Sequence, residues 1–266
     1  MAENYGGVSY EAVLAWVEDG IGYLQFNRPK AMNGVNPKML SEATEVLNAY
    51  SADPEVRVII VCGNEKVFCA GADLPEVSKL NAFEARDYLD GVHRVQTALE
   101  DNHKPSIAAI RGLALGGGFE FALSSDIRIA ADDATFALPE INLGIMPGGG
   151  GTQRWIRSGS ICTAKYYTFT GDFFNAQQAL QMDLINMVVP AAEVMERAKK
   201  IAIKISKKSA LALREAKQCI NASMSLGIKD GVRFEQVSWA MLFASEDQKE
   251  GMGAFLQGRK AEFKGK

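Results

Sequence analysis

The stretch from Arg111 to Arg154, RGLALGGGFEFALSSDIRIAADDATFALPEINLGIMPGGGGTQR, constrains the chain more than any other. Its three-glycine run, Gly116 to Gly118, follows an apolar strand-like segment (Ile107 to Leu115) and leads into a short apolar segment of helical character, Phe119 to Ser124. Glycine there lets the backbone turn sharply and lets a ligand approach its amides without a Cβ in the way. The first amides of a helix lack intrahelical partners, and the helix dipole draws negative charge to them. Gly117 is therefore placed to donate to an oxyanion. Glu120 follows three residues later, on the same helix face and leaning back toward that amide.

A second acid, Glu140, sits in FALPEINLGI, with Pro139 favouring an extended conformation at Leu138 and removing one donor. Apolar neighbours on both sides desolvate it, which raises a carboxyl pKa and suits the group to proton transfer near neutrality. Two acids beside one oxyanion donor form an arrangement for moving protons next to a carbonyl.

The 266 residues suffice for one large core, or a core with a small C-terminal subdomain. A formal net charge of -3 without a basic face argues against nucleic acid as a partner. Cys62, Cys69, Cys162 and Cys219 form no C-x-x-C pair, so reduced thiols in a cytoplasmic protein are expected, without zinc or a disulfide framework. No apolar run approaches the roughly 18 residues of a membrane span. MAENYGGVSYEA lacks the basic start and apolar core of a signal peptide.

Along the chain, residues 13–26 alternate around Asp19-Gly20 as a β-hairpin. Pro37 opens a helix running to about Tyr50, with apolar residues at spacings of three and four. Val56 to Cys62 reads as a buried strand, followed by the small-residue turn Phe68-Cys69-Ala70-Gly71-Ala72-Asp73, the kind of strand end where α/β folds place ligand-binding amides. Residues 82–101 form an amphipathic helix, Pro105 to Leu115 the next strand, and Asp126 to Ala131 another, with Thr135 and Phe136 expected to pair locally. Strand, turn and helix alternate, so the fold class is α/β with mostly parallel strands. Gly148 to Gly151 form a loop, and helices are then expected at about 162–168, 175–181, 191–206, 209–224, 228–244 and 246–258, with Asn175 and Ser209 as N-caps and Leu184 to Val189 extended.

Taken together, NRP at 27–29, FCAGADL at 68–74, RGLALGGGFEFALSSD at 111–126, FALPEINLGIMPGGGGTQR at 136–154 and SEDQKEGMGAFLQGRK at 245–260 resemble the crotonase (enoyl-CoA hydratase/isomerase) superfamily. The resemblance spans nearly the whole chain in the expected order. It implies a core of ββα spiral repeats over 1–195 carrying an acyl-CoA site, and a C-terminal helical region over 196–266 that mediates trimerisation. It also implies that two backbone amides, of Ala72 and Gly117, hold the thioester oxygen. Glu120 would then deprotonate the attacking water and Glu140 deliver a proton to Cα, turning a trans-2-enoyl-CoA into a 3-hydroxyacyl-CoA. Ala70, Gly71, Asp73, Leu74 and Gly116 would contact substrate, and Lys30 is a candidate for its nucleotide end. Coenzyme A enters as part of the substrate, and no metal or other cofactor is implied. A homo-oligomer, a trimer or dimer of trimers, is expected.

Two departures from the family pattern stand out. Ala137 and Leu138 replace the usual residues before the second acid, and Gly258 stands where a lysine often reaches a neighbouring subunit's CoA phosphates. The alternative functions are a double-bond isomerase and a specialised hydratase or hydrolase of branched or cyclic acyl-CoA.

Each feature by itself has a plainer reading. Glu120 serves a helix dipole, Glu140 is a buried acid paired with an arginine, and the glycine runs are packing or a hinge. Asp73 caps a helix, and Lys30 is a solvated surface lysine. His93 and His103 are structural or exposed, and neither lies near a serine motif.

Overall fold

The alternation of short apolar strands with helices closes into a two-sheet spiral in the computed structural model, which describes residues 5–266. The chain opens with β1 (Val13–Glu18) and β2 (Ile21–Phe26), an antiparallel hairpin whose Asp19 and Gly20 both take positive φ, as an Asp-Gly turn requires. α1 (Pro37–Ala52) starts where Pro37 predicts, capped by the Asn36 side chain accepting from the Met39 amide at 3.0 Å.

Three repeats follow. β3 (Val58–Cys62) and β4 (Val67–Cys69) lead to α2 (Leu74–Val77) and α3 (Ala82–Glu100). β5 (Ser106–Ile110) and β6 (Leu113–Leu115) lead to α4 (Gly117–Leu123). β7 (Ile127–Ala131) and β8 (Thr135–Ala137) lead to α5 (Gly151–Ser158) and α6 (Ile161–Thr170). In each repeat the first strand joins a six-stranded sheet, β1-β2-β3-β5-β7-β10, and the second joins a four-stranded sheet, β4-β6-β8-β9. The remaining elements are β9 (Phe174–Asn175), α7 (Ala176–Gln181), β10 (Met187–Val189), α8 (Val194–Ser206), α9 (Ala210–Ala222), α10 (Ile228–Leu242) and α11 (Glu246–Leu256). Only the β1/β2 and β8/β9 pairings are antiparallel among the described strands.

The expected single strand over Pro105 to Leu115 is two strands in different sheets. Its break is Gly112, at φ +61°, packed so closely on the Lys66 carbonyl that a Cβ would collide. An apolar run with no visible interruption hid a corner that only the neighbouring strand explains. Thr135 and Phe136 pair not locally but with Leu113 and Ala114 and with Asn175 and Phe174. α5, absent from the expected helices, begins at the last glycine of the second run. The Asn175 and Ser209 caps are present, accepting from Gln178 N at 2.9 Å and Ala212 N at 3.3 Å.

β3 and β5 are buried at every residue, which is why they read as continuous apolar runs rather than alternating ones. α8 lays Val194, Ala198 and Ala202 on β3, β5 and β7. The expected boundary at 195 therefore falls at the start of a helix that covers the sheet.

Candidate active site

The smaller sheet organises the site. β4, β6 and β8 are adjacent and parallel, so their carboxyl ends lie side by side. From those ends leave Ala70 to Leu74, Gly116 to Glu120, and Leu138 to Glu140, segments far apart in sequence. Ligands in α/β sheets collect at such strand ends because turning chains leave amides unpaired there. The three segments line one cavity of roughly 600 Å³, closed on another side by Ala85, Tyr88, Leu89 and Val92 of α3.

Gly116 takes φ +49° where β6 turns into α4, and a Cβ there would lie 2.8 Å from Glu140 Oε1. The turn leaves Gly117 as the first residue of α4. Its amide and that of Ala72 have no backbone partner among the described residues. A Cβ built on Gly117 would stand 4.0 Å from the Ala72 nitrogen, so the two amides border one small space.

Behind α4, the Phe119 ring packs edge-on against Phe136, Trp155 and Phe174, with centroids 5.4, 5.7 and 5.7 Å away. These four side chains are fully buried and tie the helix to β8, β9 and α5. One residue on, Glu120 is 2% exposed. Its Oε2 accepts from Gly149 N at 3.0 Å and its Oε1 from Gly151 N at 2.7 Å. Burial raises its pKa, while the two amides and the Arg154 charge act in the opposite direction.

Glu140 lies in a 3₁₀ turn, Pro139–Leu143, and its environment differs. Its Oε2 is buried without a hydrogen-bond partner among the described residues. Burial, and then the Glu120 charge, push its carboxyl up to about 7. The cavity thus holds one carboxylate fixed by two donors and one carboxyl with a free oxygen that titrates near neutrality. The first is suited to accept a proton, the second to give one.

Of the sequence-derived site residues, Ala70, Gly71, Ala72, Leu74, Gly116, Gly117, Glu120 and Glu140 meet in this cavity. Asp73 does not line it. Its carboxylate pairs with Arg28 at 2.8 Å, and its backbone carbonyl, rather than its side chain, starts α2. Arg28, from the NRP segment, also donates to the Gly34 carbonyl, so this ion pair locks the loop beside the strand ends. Lys30 also stands outside, exposed in the 3₁₀ turn Pro29–Ala31, because proximity in sequence to the NRP segment does not turn a side chain inward. Glu140 has no arginine partner among the described residues. Glu120 bonds not to the α4 amides but to the second glycine run, which local sequence identifies only as a loop or hinge. The α3 lining was also missed, although apolar residues at 85, 88, 89 and 92 carry the spacing of one helix face.

A family model described as enoyl-CoA hydratase/isomerase matches residues 17–266. The chain is 42% identical over 257 residues to a crotonyl-CoA hydratase of Syntrophomonas wolfei, covering 96% of this chain and 99% of that one. It is 42% identical over 251 residues to a short-chain-enoyl-CoA hydratase of Clostridium acetobutylicum, covering 94% and 96%. A crystal structure of an enoyl-CoA hydratase from Bacillus anthracis superposes with a TM-score of 0.93 at 33% identity, covering 96% of this chain and all of that one.

Proposed function

The chain belongs to the enoyl-CoA hydratase/isomerase family, and from that premise we propose that it is an enoyl-CoA hydratase. It is a hydro-lyase that adds water across the double bond of a trans-2-enoyl-CoA to give a 3-hydroxyacyl-CoA. The observation that carries this reading is the pairing of two unlike carboxyl groups beside two unpartnered amides in one apolar cavity.

The thioester oxygen accepts hydrogen bonds from the Ala72 and Gly117 amides, which draws electron density from C3. Glu120 takes a proton from water as the water oxygen bonds to C3; the pair of the Cα–C3 double bond shifts into the bond between Cα and the carbonyl carbon, and the carbonyl π pair moves onto the thioester oxygen. The enolate so formed is held by the two amides; removal of one such donor typically costs about 3–4 kcal/mol in transition-state stabilisation. Glu140 then gives its proton to Cα. Glu120 ends protonated and Glu140 ionised, and one proton passed between them resets the site. Isomerisation requires a single shuttling carboxyl and has no role for a second one gripped by two amides, so hydration is the better fit.

Ala70, Gly71, Leu74 and Gly116 contact the substrate, and coenzyme A is carried by the substrate itself. Trp239, Phe255 and Leu256 of the C-terminal helices are 62%, 84% and 84% exposed. Large apolar side chains so uncovered support a homo-oligomer, a trimer or dimer of trimers, built through this region. No described helix is long and apolar enough to cross a membrane, and four free thiols fit a reducing cytoplasm.

The test is loss of the 2-enoyl thioester absorbance on mixing the protein with crotonyl-CoA, repeated with Glu120→Gln. Rapid loss that the variant abolishes supports hydration. An inert wild type across short, long, branched and cyclic trans-2-enoyl-CoAs overturns it.

A further inference from the structure

Resting on the hydratase reading, we propose that Gln96, Glu100 and Arg154 are positioning residues that orient Glu120 through the Gly149 peptide units. Glu120 is held by amides from a run of four consecutive glycines, the backbone with the widest conformational freedom available. A proton acceptor must be held within about 0.5 Å of its working position. A free polyglycine loop does not do that. Something outside the loop has to fix it, and the structure contains such a device.

Gln96 of α3, fully buried, donates through Nε2 to the Gly149 carbonyl. Arg154 of α5 donates through NH1 to the same carbonyl at 3.0 Å and to Gln96 Oε1 at 3.2 Å. The guanidinium is fixed in turn by a two-pronged ion pair with Glu100, at 2.5 Å from Nε to Oε1 and 2.6 Å from NH2 to Oε2. Gly149 is thus gripped on its carbonyl side by two helices and offers its own amide to Glu120. Since each peptide unit is planar, pinning the carbonyl leaves only the two dihedrals of Gly149 between the clamp and the amide. The arrangement also brings a cation near Glu120, favouring its ionised form.

The titratable groups around Glu120 are Glu140 on the 3₁₀ turn, Arg154 on α5, and Tyr88, His93 and Glu100 on α3, with His93 hydrogen-bonded to Gln96. Within that set the Arg154 charge acts on Glu120 directly, and Glu100 acts through its ion pair with Arg154. Removing the Arg154 charge moves the acid limb of the rate profile to higher pH. Removing the Glu100 charge leaves the cation less neutralised and moves that limb to lower pH. A residue that merely supports the fold produces neither shift.

The experiment measures kcat, KM and the pH profile for crotonyl-CoA hydration by wild type, Gln96→Leu, Arg154→Met, Arg154→Lys and Glu100→Gln. Gln96→Leu and Arg154→Met are expected to lower kcat by roughly 10- to 100-fold with little change in KM, the scale of a small misplacement of a reacting group. Arg154→Lys, which keeps the charge but loses the fork, should recover part of the kcat. The acid limb should rise in Arg154→Met and fall in Glu100→Gln. Wild-type kcat in folded Gln96→Leu, or acid limbs that do not separate between Arg154→Met and Glu100→Gln, refutes the inference while the active wild type upholds the hydratase reading. Should Arg154→Met not fold, Glu100→Gln against wild type decides by the same limb. A wild type inert toward every trans-2-enoyl-CoA refutes the reading, and the inference with it.

Discussion

Replacing Glu140 with glutamine should stabilise the fold at alkaline pH while removing most of the turnover. Burial and the Glu120 charge lift the Glu140 carboxyl from 4.5 to about 7 in the folded protein. With the folded value above the unfolded one, the folded state keeps its proton after the unfolded chain has released it. The stabilising contribution is complete below about 4.5 and disappears as the pH rises through about 7. From 4.5 to about 7, at about 1.36 kcal/mol per pH unit, the loss is on the order of 3 kcal/mol. That is a large share of the roughly 5–15 kcal/mol by which folded domains exceed their unfolded states. Glutamine has nearly the same shape and never ionises, and Oε2, without a partner among the described residues, leaves no donor there to be orphaned. Urea unfolding of wild type and Glu140→Gln at pH 5, 7 and 8.5 measures the difference. The variant should lead by about 1 kcal/mol at pH 5 and by roughly 3 kcal/mol at pH 8.5, with an unchanged denaturant slope. A difference that does not vary with pH, or a wild type more stable than the variant at pH 8.5, would refute the argument that burial sets this carboxyl.

Other outcomes follow from the same structure. The wild-type kcat/KM should decline above pH about 7 as Glu140 gives up the proton it must deliver; a profile flat to pH 9 removes it as the acid. Glu120→Gln and Glu140→Gln should each lower turnover by roughly 10²- to 10⁴-fold with unchanged circular dichroism, and near-normal rates in either would take that residue out of the mechanism. Gly149→Ala places a Cβ against Glu120 Oε2, so kcat should drop by about 10²-fold in a folded protein; an unaltered kcat would show that the carboxylate tolerates displacement. Glu42 is buried and accepts from the Glu11 and Ala12 amides at 3.0 and 2.7 Å, so Glu42→Ala should cost about 1–3 kcal/mol of stability without altering KM. Light scattering at micromolar concentration should give a mass of several chains, and a monomer would overturn the assignment of the C-terminal helices to self-association.

Local chemistry determines much of this protein and is legible one segment at a time. Asp19-Gly20 dictates the hairpin, Asn36-Pro37 starts α1, and β3 reads as buried because both of its faces are covered. Gly117 at a helix start and Glu120 three residues on identify half of the site, since backbone angles and helix periodicity are properties of neighbours in sequence. What tertiary structure alone decides is where those groups point and what faces them. A glycine at 112 sends one apolar run into two sheets because the Lys66 carbonyl occupies the space a side chain would need. Asp73, in the middle of the site segment, turns away to Arg28, whereas Glu140 turns inward and finds no partner for one oxygen among the described residues. Glu120 takes its two donors from a glycine run some thirty residues downstream, held by Gln96 and Arg154 from two other helices. Donor and acceptor there are brought together by the adjacency of β4, β6 and β8, a juxtaposition made by strand pairing across the fold and invisible to any window of local sequence.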